Sequence, residues 1–192
     1  MAAEDPTWLQ RLQRRDEAAF NELVIRHQDS VFRLLLGMLG NRAEAEDVAQ
    51  EVFVSAFKAI HRFRGDSAIS TWLYRVAANH GKNRIKYLAR RARDSQRPLE
   101  EGLDGGSSVL AAAPTRPDQQ AEGHQAEHHL QRALAALEED QRVLIMLRDV
   151  QNLSYEEIAE VTSLPIGTVK SRLHRARLAL HARYAELSES LP

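Results

Sequence analysis

The chain has 192 residues, enough for one domain or two small ones, and Lys+Arg 26 against Asp+Glu 27 gives a formal net charge of -1, which does not by itself draw it to nucleic acid. It has no cysteine, so neither a disulfide framework nor a thiolate zinc site is available and nothing argues for secretion. No apolar run approaches the roughly 20 residues of a membrane span, and Met1 to Pro6 lacks the basic start and apolar stretch of a signal peptide. A cytoplasmic protein without membrane insertion is therefore expected. Charge is unevenly spread: acids gather from Glu44 to Glu51 and from Glu100 to Glu127, bases from Arg84 to Arg93 and from Lys170 to Arg183. Each part can meet a different partner.

Residues 1–15 read as an N-terminal extension, and helical patterning begins at Asp16, a residue that can cap a helix. Phe20, Leu23, Val24, Val31, Leu34, Leu35 and Met38 recur at the spacing of a turn of about 3.6 residues, and the run ends near Gly40. Asn41 followed by Glu44 resembles a capping box for a second helix, whose apolar stripe is Val48, Val52, Phe53, Ala56, Phe57 and Ile60. The polar stretch Arg64-Gly65-Asp66-Ser67 interrupts the pattern, and a third helix is predicted from near Ser70 to about Arg90. On it Trp72, Arg75, Asn79, Lys82 and Lys86 share one stripe, while Leu73, Val76 and Ala77 lie opposite. An exposed aromatic beside cations and an amide suits a strand with opened bases, because aromatics stack on bases and cations follow the backbone. The alternative is that Trp72 packs against Phe57 or Phe63.

Between Ser95 and Gln125 the composition shifts to Pro, Gly and Ser with scattered acids, the signature of a flexible linker. At its edge His124, Glu127 and His128 match the H-x-x-E-H pattern of inverted zinc peptidases, with His129 adjacent. A hydrolytic site needs three ligands on a rigid, shielded scaffold, which a linker edge does not offer. No Gly-rich phosphate loop or nucleophile elbow accompanies the pattern, so the expectation is a non-enzyme with no cofactor and no metal, the zinc hydrolase being a remote alternative.

Helical periodicity resumes at Leu130, Ala133, Leu134 and Leu137 and continues through Val143, Leu144 and Leu147. Ser154 with Glu157 forms a second capping-box pattern, opening a short helix that carries Ile158, Ala159 and Val161. Thr162-Ser163-Leu164-Pro165 breaks it, and Pro165 to Thr168 opens another. Val169 and Leu173 face inward, leaving Thr168, Lys170, Ser171, Arg172, Arg175 and Arg177 on the other faces. Ser154 to Arg177 thus reads as a helix-turn-helix. Its second helix suits a major groove, where arginine reads guanine edges and other cations and hydroxyls hold phosphate. The fold expected is all-α: two small helical domains, an N-terminal bundle at 16–94 and a helix-turn-helix domain at 128–187, joined by the linker 95–127 and followed by the tail 188–192.

Three stretches resemble the extracytoplasmic-function group of sigma-70-type factors, of the envelope-stress sigma-E type. Phe63 to Asn79, FRGDSAISTWLYRVAAN, looks like that family's promoter-melting segment; Glu46 to Phe53, EDVAQEVF, like its polymerase-binding helix; and Ser154 to Arg177 like its region 4. They stand in the family's order, with a linker where the family has one. The resemblance implies that Asp47, Gln50, Glu51 and Phe53 dock on the clamp helices of the polymerase β′ subunit, although periodicity alone places Phe53 in the core. It implies that Phe63, Arg64, Gly65, Asp66 and Ser67 capture a base flipped from the minus-10 non-template strand, with Trp72, Arg75, Asn79, Lys82 and Lys86 alongside. It further implies that Lys170, Ser171, Arg172 and Arg175 read the minus-35 element. The partners implied are core RNA polymerase, through the β′ clamp helices and the β flap, promoter DNA, and an anti-sigma factor that can hold the protein at a membrane.

The chain departs from the family pattern at Glu138, where many members have proline, and at Thr162-Ser163, where an apolar residue and glycine are more usual. Lys170 stands where arginine is common and offers a point charge instead of a bidentate fork. A stand-alone helix-turn-helix regulator is the main alternative; it predicts autonomous binding to a duplex operator, whereas a sigma factor binds weakly until polymerase is present.

Overall fold

The computed structural model describes residues 5–95 and 129–189, and every regular element among them is helical. Helix α1 (Pro6–Gln13) begins where Asp5 accepts a hydrogen bond from the Thr7 N–H at 2.9 Å, with Pro6 in the first turn where its missing donor costs nothing. Helix α2 (Glu17–Leu39) is capped by Asp16, which accepts from the Ala19 N–H at 2.8 Å, and closed by Gly40 in the left-handed conformation. Helix α3 (Arg42–Ala59) starts at Asn41, whose side chain accepts from the Glu44 N–H. The Glu44 carboxylate meanwhile pairs with Arg84, 2.5 Å away. A 3₁₀ turn (Ile60–Arg62) and a loop lead into α4 (Ile69–Ser95), which runs several residues beyond the predicted end.

The second half opens with a helical segment, α5, at residues 129–135. Helix α6 (Glu139–Ile145) passes into a π turn (Met146–Val150), and α7 (Tyr155–Thr162) and α8 (Ile166–Glu189) form the helix-turn-helix. Glu138 caps α6 without a side-chain hydrogen bond, in the place where proline was the expected family residue.

The two helical bundles expected from the sequence pack against each other and share a core. Val31, Leu34, Leu35 and Met38 of α2 and Tyr74, Ala77 and Ala78 of α4 belong to one buried cluster with Leu134, Leu137, residues 143–147, Ile158, Val161 and Leu173 of the second half. The halves pack tightly at Gly37, where a Cβ would overlap the thioether of Met146. Arg142, half-buried, ties the seam by donating to Met38 O at 2.5 Å, Ala135 O at 2.7 Å and Leu137 O at 3.0 Å, carbonyls at or just past two helix ends. A second cluster sits at the far end of the first half and contains Trp8, Leu12, Leu23, Ile60, Phe63, Ile69 and Leu73.

Candidate nucleic-acid interface

Helix α7 is closed at both ends by local hydrogen bonds. Ser154 Oγ accepts from the Glu157 N–H at 3.1 Å and Glu157 Oε2 from the Ser154 N–H at 2.7 Å, a complete capping box. At the other end Ser163 takes the left-handed conformation, φ 57°, and donates its N–H to Ala159 O. Glycine is the usual occupant of such a position because it lacks the Cβ that crowds there. Val169, Leu173 and Ala176 bury the inner face of α8.

The outer face of α8 holds the cations the sequence singles out, in different circumstances. Lys170, Ser171 and Arg175 are exposed, as is His174, which the sequence reading omitted although it lies on the same helix between them. Lys170 Nζ stands 5.4 Å from the centre of the Tyr155 ring. Thr168 and Arg172 are partly buried, and an Arg172 nitrogen lies 3.6 Å from Asp140. Arg177 grips Asp149 through both Nε and Nη2, and that hydrogen bond keeps its guanidinium protonated above the ordinary range. The sequence grouped Arg177 with the groove-facing cations; the structure turns its fork to the π turn instead.

In the first half Phe63 is buried and its ring lies 5.5 Å from that of Trp72, so the packing alternative for Trp72 holds on one side while the ring stays partly exposed. Phe57 instead meets Phe20, 5.0 Å away. Arg64, Gly65 and Asp66 project as an exposed loop, with Gly65 at φ 80°. The stripe on α4 is present, but the second half lies over it. Arg75 donates to Glu160 O and pairs with its carboxylate, both at 3.1 Å. Lys82 donates to Asp140 at 2.7 Å. Asn79 is exposed at a small cleft of about 90 Å³ shared with Val143, Thr162 and Ser163, and Lys86 is exposed beyond it.

The acidic helix α3 presents Asp47 and Gln50 to solvent, and Phe53 is partly buried against both clusters. Glu51 is exposed yet engaged, 2.8 Å from Arg84 and 3.6 Å from His80. Beside this face a groove of about 540 Å³ runs between α2 and α3, with Phe32 and Phe53 along it and Gln28, Glu46 and Gln50 at its edge. The α2 side of this groove was missed by the sequence reading because Phe32 falls outside the apolar stripe.

An acidic helix, a basic aromatic helix and a helix-turn-helix in one chain whose described elements are all helical define a DNA-binding protein with a second, protein-facing surface. The family profile described as Sigma-70 region 2 matches residues 23–93, and the profile described as Sigma-70, region 4 matches residues 128–180. The RNA polymerase sigma-H factor of Pseudomonas aeruginosa is 38% identical over 178 residues, and the ECF RNA polymerase sigma-E factor of Escherichia coli K12 is 38% identical over 176 residues, each match covering 92% of both chains. The chain belongs to the extracytoplasmic-function group of the sigma-70 family, whose members direct promoter-specific transcription initiation. Two solved structures share its fold: CnrH in complex with the cytosolic domain of CnrY, at TM-score 0.65 and 22% identity over 92% of this chain and 94% of that one, and the sigma factor RpoE in complex with the anti-sigma factor NepR from Bartonella quintana, at TM-score 0.63 and 24% identity over 90% and 98%. The His124, Glu127 and His128 pattern lies outside the described residues, and among the described residues no cluster of potential metal ligands occurs. No described helix is long and apolar enough to cross a membrane.

Proposed function

We propose that this factor grips a promoter at two places and docks on core RNA polymerase at a third. Lys170, Ser171 and Arg175 of α8, with Thr168 and Arg172 beside them, read the minus-35 element. The loop at Arg64, Gly65 and Asp66 holds a base flipped from the minus-10 strand, with Trp72, Arg75, Asn79, Lys82 and Lys86 following the opened strand. Flipping costs a few kcal/mol per base, which a fitted pocket and backbone contacts must offset. Asp47, Gln50 and Glu51, with the neighbouring groove between α2 and α3, face the β′ clamp helices, and the second half reaches the β flap. The protein acts in the cytoplasm and performs no chemistry of its own. CnrH is seen bound to the cytosolic domain of CnrY and RpoE to the anti-sigma factor NepR, and we extend to this chain the expectation of an anti-sigma factor.

The observation that carries this reading is the occupation of Arg75 and Lys82 by Glu160 and Asp140. Two cations on the strand-facing side of α4 are held by the second half, while Asn79 and Lys86 of that stripe and the outer faces of α3 and α8 stay open. Such a molecule binds promoter DNA weakly alone and fully once polymerase has drawn the halves apart, because affinity scales with the fraction of molecules already in the competent state. A gel-shift with and without core polymerase, followed by transcription from a genomic promoter library, tests it. Specific initiation only with core is expected; tight autonomous binding to one duplex operator would overturn it in favour of a stand-alone regulator.

A further inference from the structure

The helix α1 lies outside both matched family profiles, the first of which begins at residue 23 and the second at residue 128. It is nonetheless tied into the loop that follows the 3₁₀ turn. Gln13 Nε2 donates to the Phe63 carbonyl at 2.8 Å, across 50 positions of sequence. Trp8 and Leu12 share a buried cluster with Ile60, the first residue of the turn, and Phe63, the residue that follows it. Leu9 Cδ2 stands 3.3 Å from where a Cβ on Gly65 would sit, so α1 lies against the loop at its left-handed residue. Just after α1, Arg15 donates to Lys58 O at 2.9 Å and reaches the His61 ring at 3.1 Å, fixing the chain as it leaves α3.

Phe63 is therefore an anchor, with 5% of its surface exposed. The residues that project are Arg64, Gly65 and Asp66. Their backbone is held on the approach side by α1 and on the departure side by Ile69, buried at the start of α4. A pocket for an extruded base works only if its walls are held to within about 0.5 Å. Any ordering of the loop that must occur during capture subtracts from the energy available to hold the base.

We propose that α1 is the element that positions the base-capture loop, with Gln13 and Leu9 as positioning residues that set base preference at minus-10 without touching DNA. The inference rests on the assignment of the loop at Arg64 to Asp66 to base capture. The mechanism is steric and electrostatic. Gln13 fixes the height of the Phe63 carbonyl, and Leu9 limits how far Gly65 can sink.

The test uses full-length protein assembled with core polymerase and a pool of fork-junction promoters randomised across the single-stranded minus-10 stretch, with bound sequences counted. Gln13→Glu keeps the size of the side chain and loses the donor; Gln13→Lys restores one; Leu9→Ala removes the contact at Gly65 and serves where a Gln13 variant fails to fold. Gln13→Glu and Leu9→Ala are expected to lose about five- to tenfold of the preference at one base position, the scale of one hydrogen bond. Core affinity and minus-35 preference stay at wild-type levels, and Gln13→Lys recovers the preference. Arg64→Ala and Asp66→Ala identify the position read by the loop. If these loop variants lose base preference and the α1 variants keep it, α1 does not position the loop. If the loop variants keep it as well, the loop assignment has failed and the inference falls with it. A uniform loss over every randomised position reports instability alone and also overturns the proposal.

Discussion

Arg175 lies exposed on α8, its Nε 3.4 Å from the Ser171 carbonyl of its own helix, and its charge is not spent on an acid in the way that Arg172 faces Asp140 and Arg177 holds Asp149. A guanidinium in that position has its bidentate fork available for a guanine edge. Arg175→Ala is expected to weaken promoter binding by about 1–3 kcal/mol, with the loss concentrated at one position of the minus-35 element. Transcription from promoters mutated base by base would detect it, and equal loss on all sequences would make Arg175 a phosphate contact. Ser163 poses a different question on the same motif. Its left-handed backbone, φ 57°, costs a residue with a Cβ about 1–2 kcal/mol, of which glycine gives back part through the freedom it adds to the unfolded chain. Ser163→Gly is therefore expected to raise stability by up to about 1 kcal/mol, read as a higher midpoint in thermal or urea unfolding. The residue lies exposed at the turn, so minus-35 preference should stay as it is.

At the scale of elements, the helices begin where the sequence says they should because their caps are local. Asp16, Asn41 and Ser154 each accept from the N–H three residues ahead, and such bonds depend on nothing outside four residues of chain. The capping box at Ser154 sets the start of α7 and hence the crossing of α7 and α8. Ser154→Ala removes one half of it and is expected to cost about 1 kcal/mol, with Glu157→Gln milder because the amide oxygen can still accept. Melting of the two variants checks the order. Other features depended on distant chain and were not legible. Nothing in the local pattern reveals that Arg177 turns to Asp149, because the partner sits 28 positions away on the π turn. The groove beside Phe32 escaped for the same reason, since it exists only once α2 and α3 pack side by side. Helix α1 shows no stripe in the sequence because eight residues carry too few repeats, although Trp8 and Leu12 fall on one face.

At the scale of the whole molecule, the seam between the halves combines two kinds of contact. Arg75 with Glu160 and Lys82 with Asp140 are ion pairs with substantial exposure, and pairs of that sort contribute little. The Lys82 hydrogen bond holds the Asp140 carboxyl below its ordinary value near 3.8. A carboxylate with a depressed pKa favours the closed form above that ordinary value, and the contribution is lost as pH falls through the lower one. Across the neutral range this pair is therefore no switch. The apolar part is stronger. Leu34, Leu35 and Met38 pack in one core with Met146 and Leu147, and the side-chain hydroxyl of Tyr74 donates to Gln151, which in turn donates to Ser30 O at 3.1 Å. Gly37 is the weak point of this seam and the place to break it. A glycine inside α2 sacrifices about 1 kcal/mol of helix propensity, a cost that makes sense where Met146 needs the space of a side chain. Gly37→Leu strengthens the helix locally and forces Met146 out, so each half stays folded while the seam opens. Fluorescence energy transfer between labels on α3 and α8 should fall in this variant. Binding to promoter DNA without polymerase should rise, because Arg75 and Lys82 are released together. DNA binding unchanged once the halves have separated would show that closure is not what keeps the free factor from promoters, and unchanged or higher transfer would show that Met146 at Gly37 does not hold the seam.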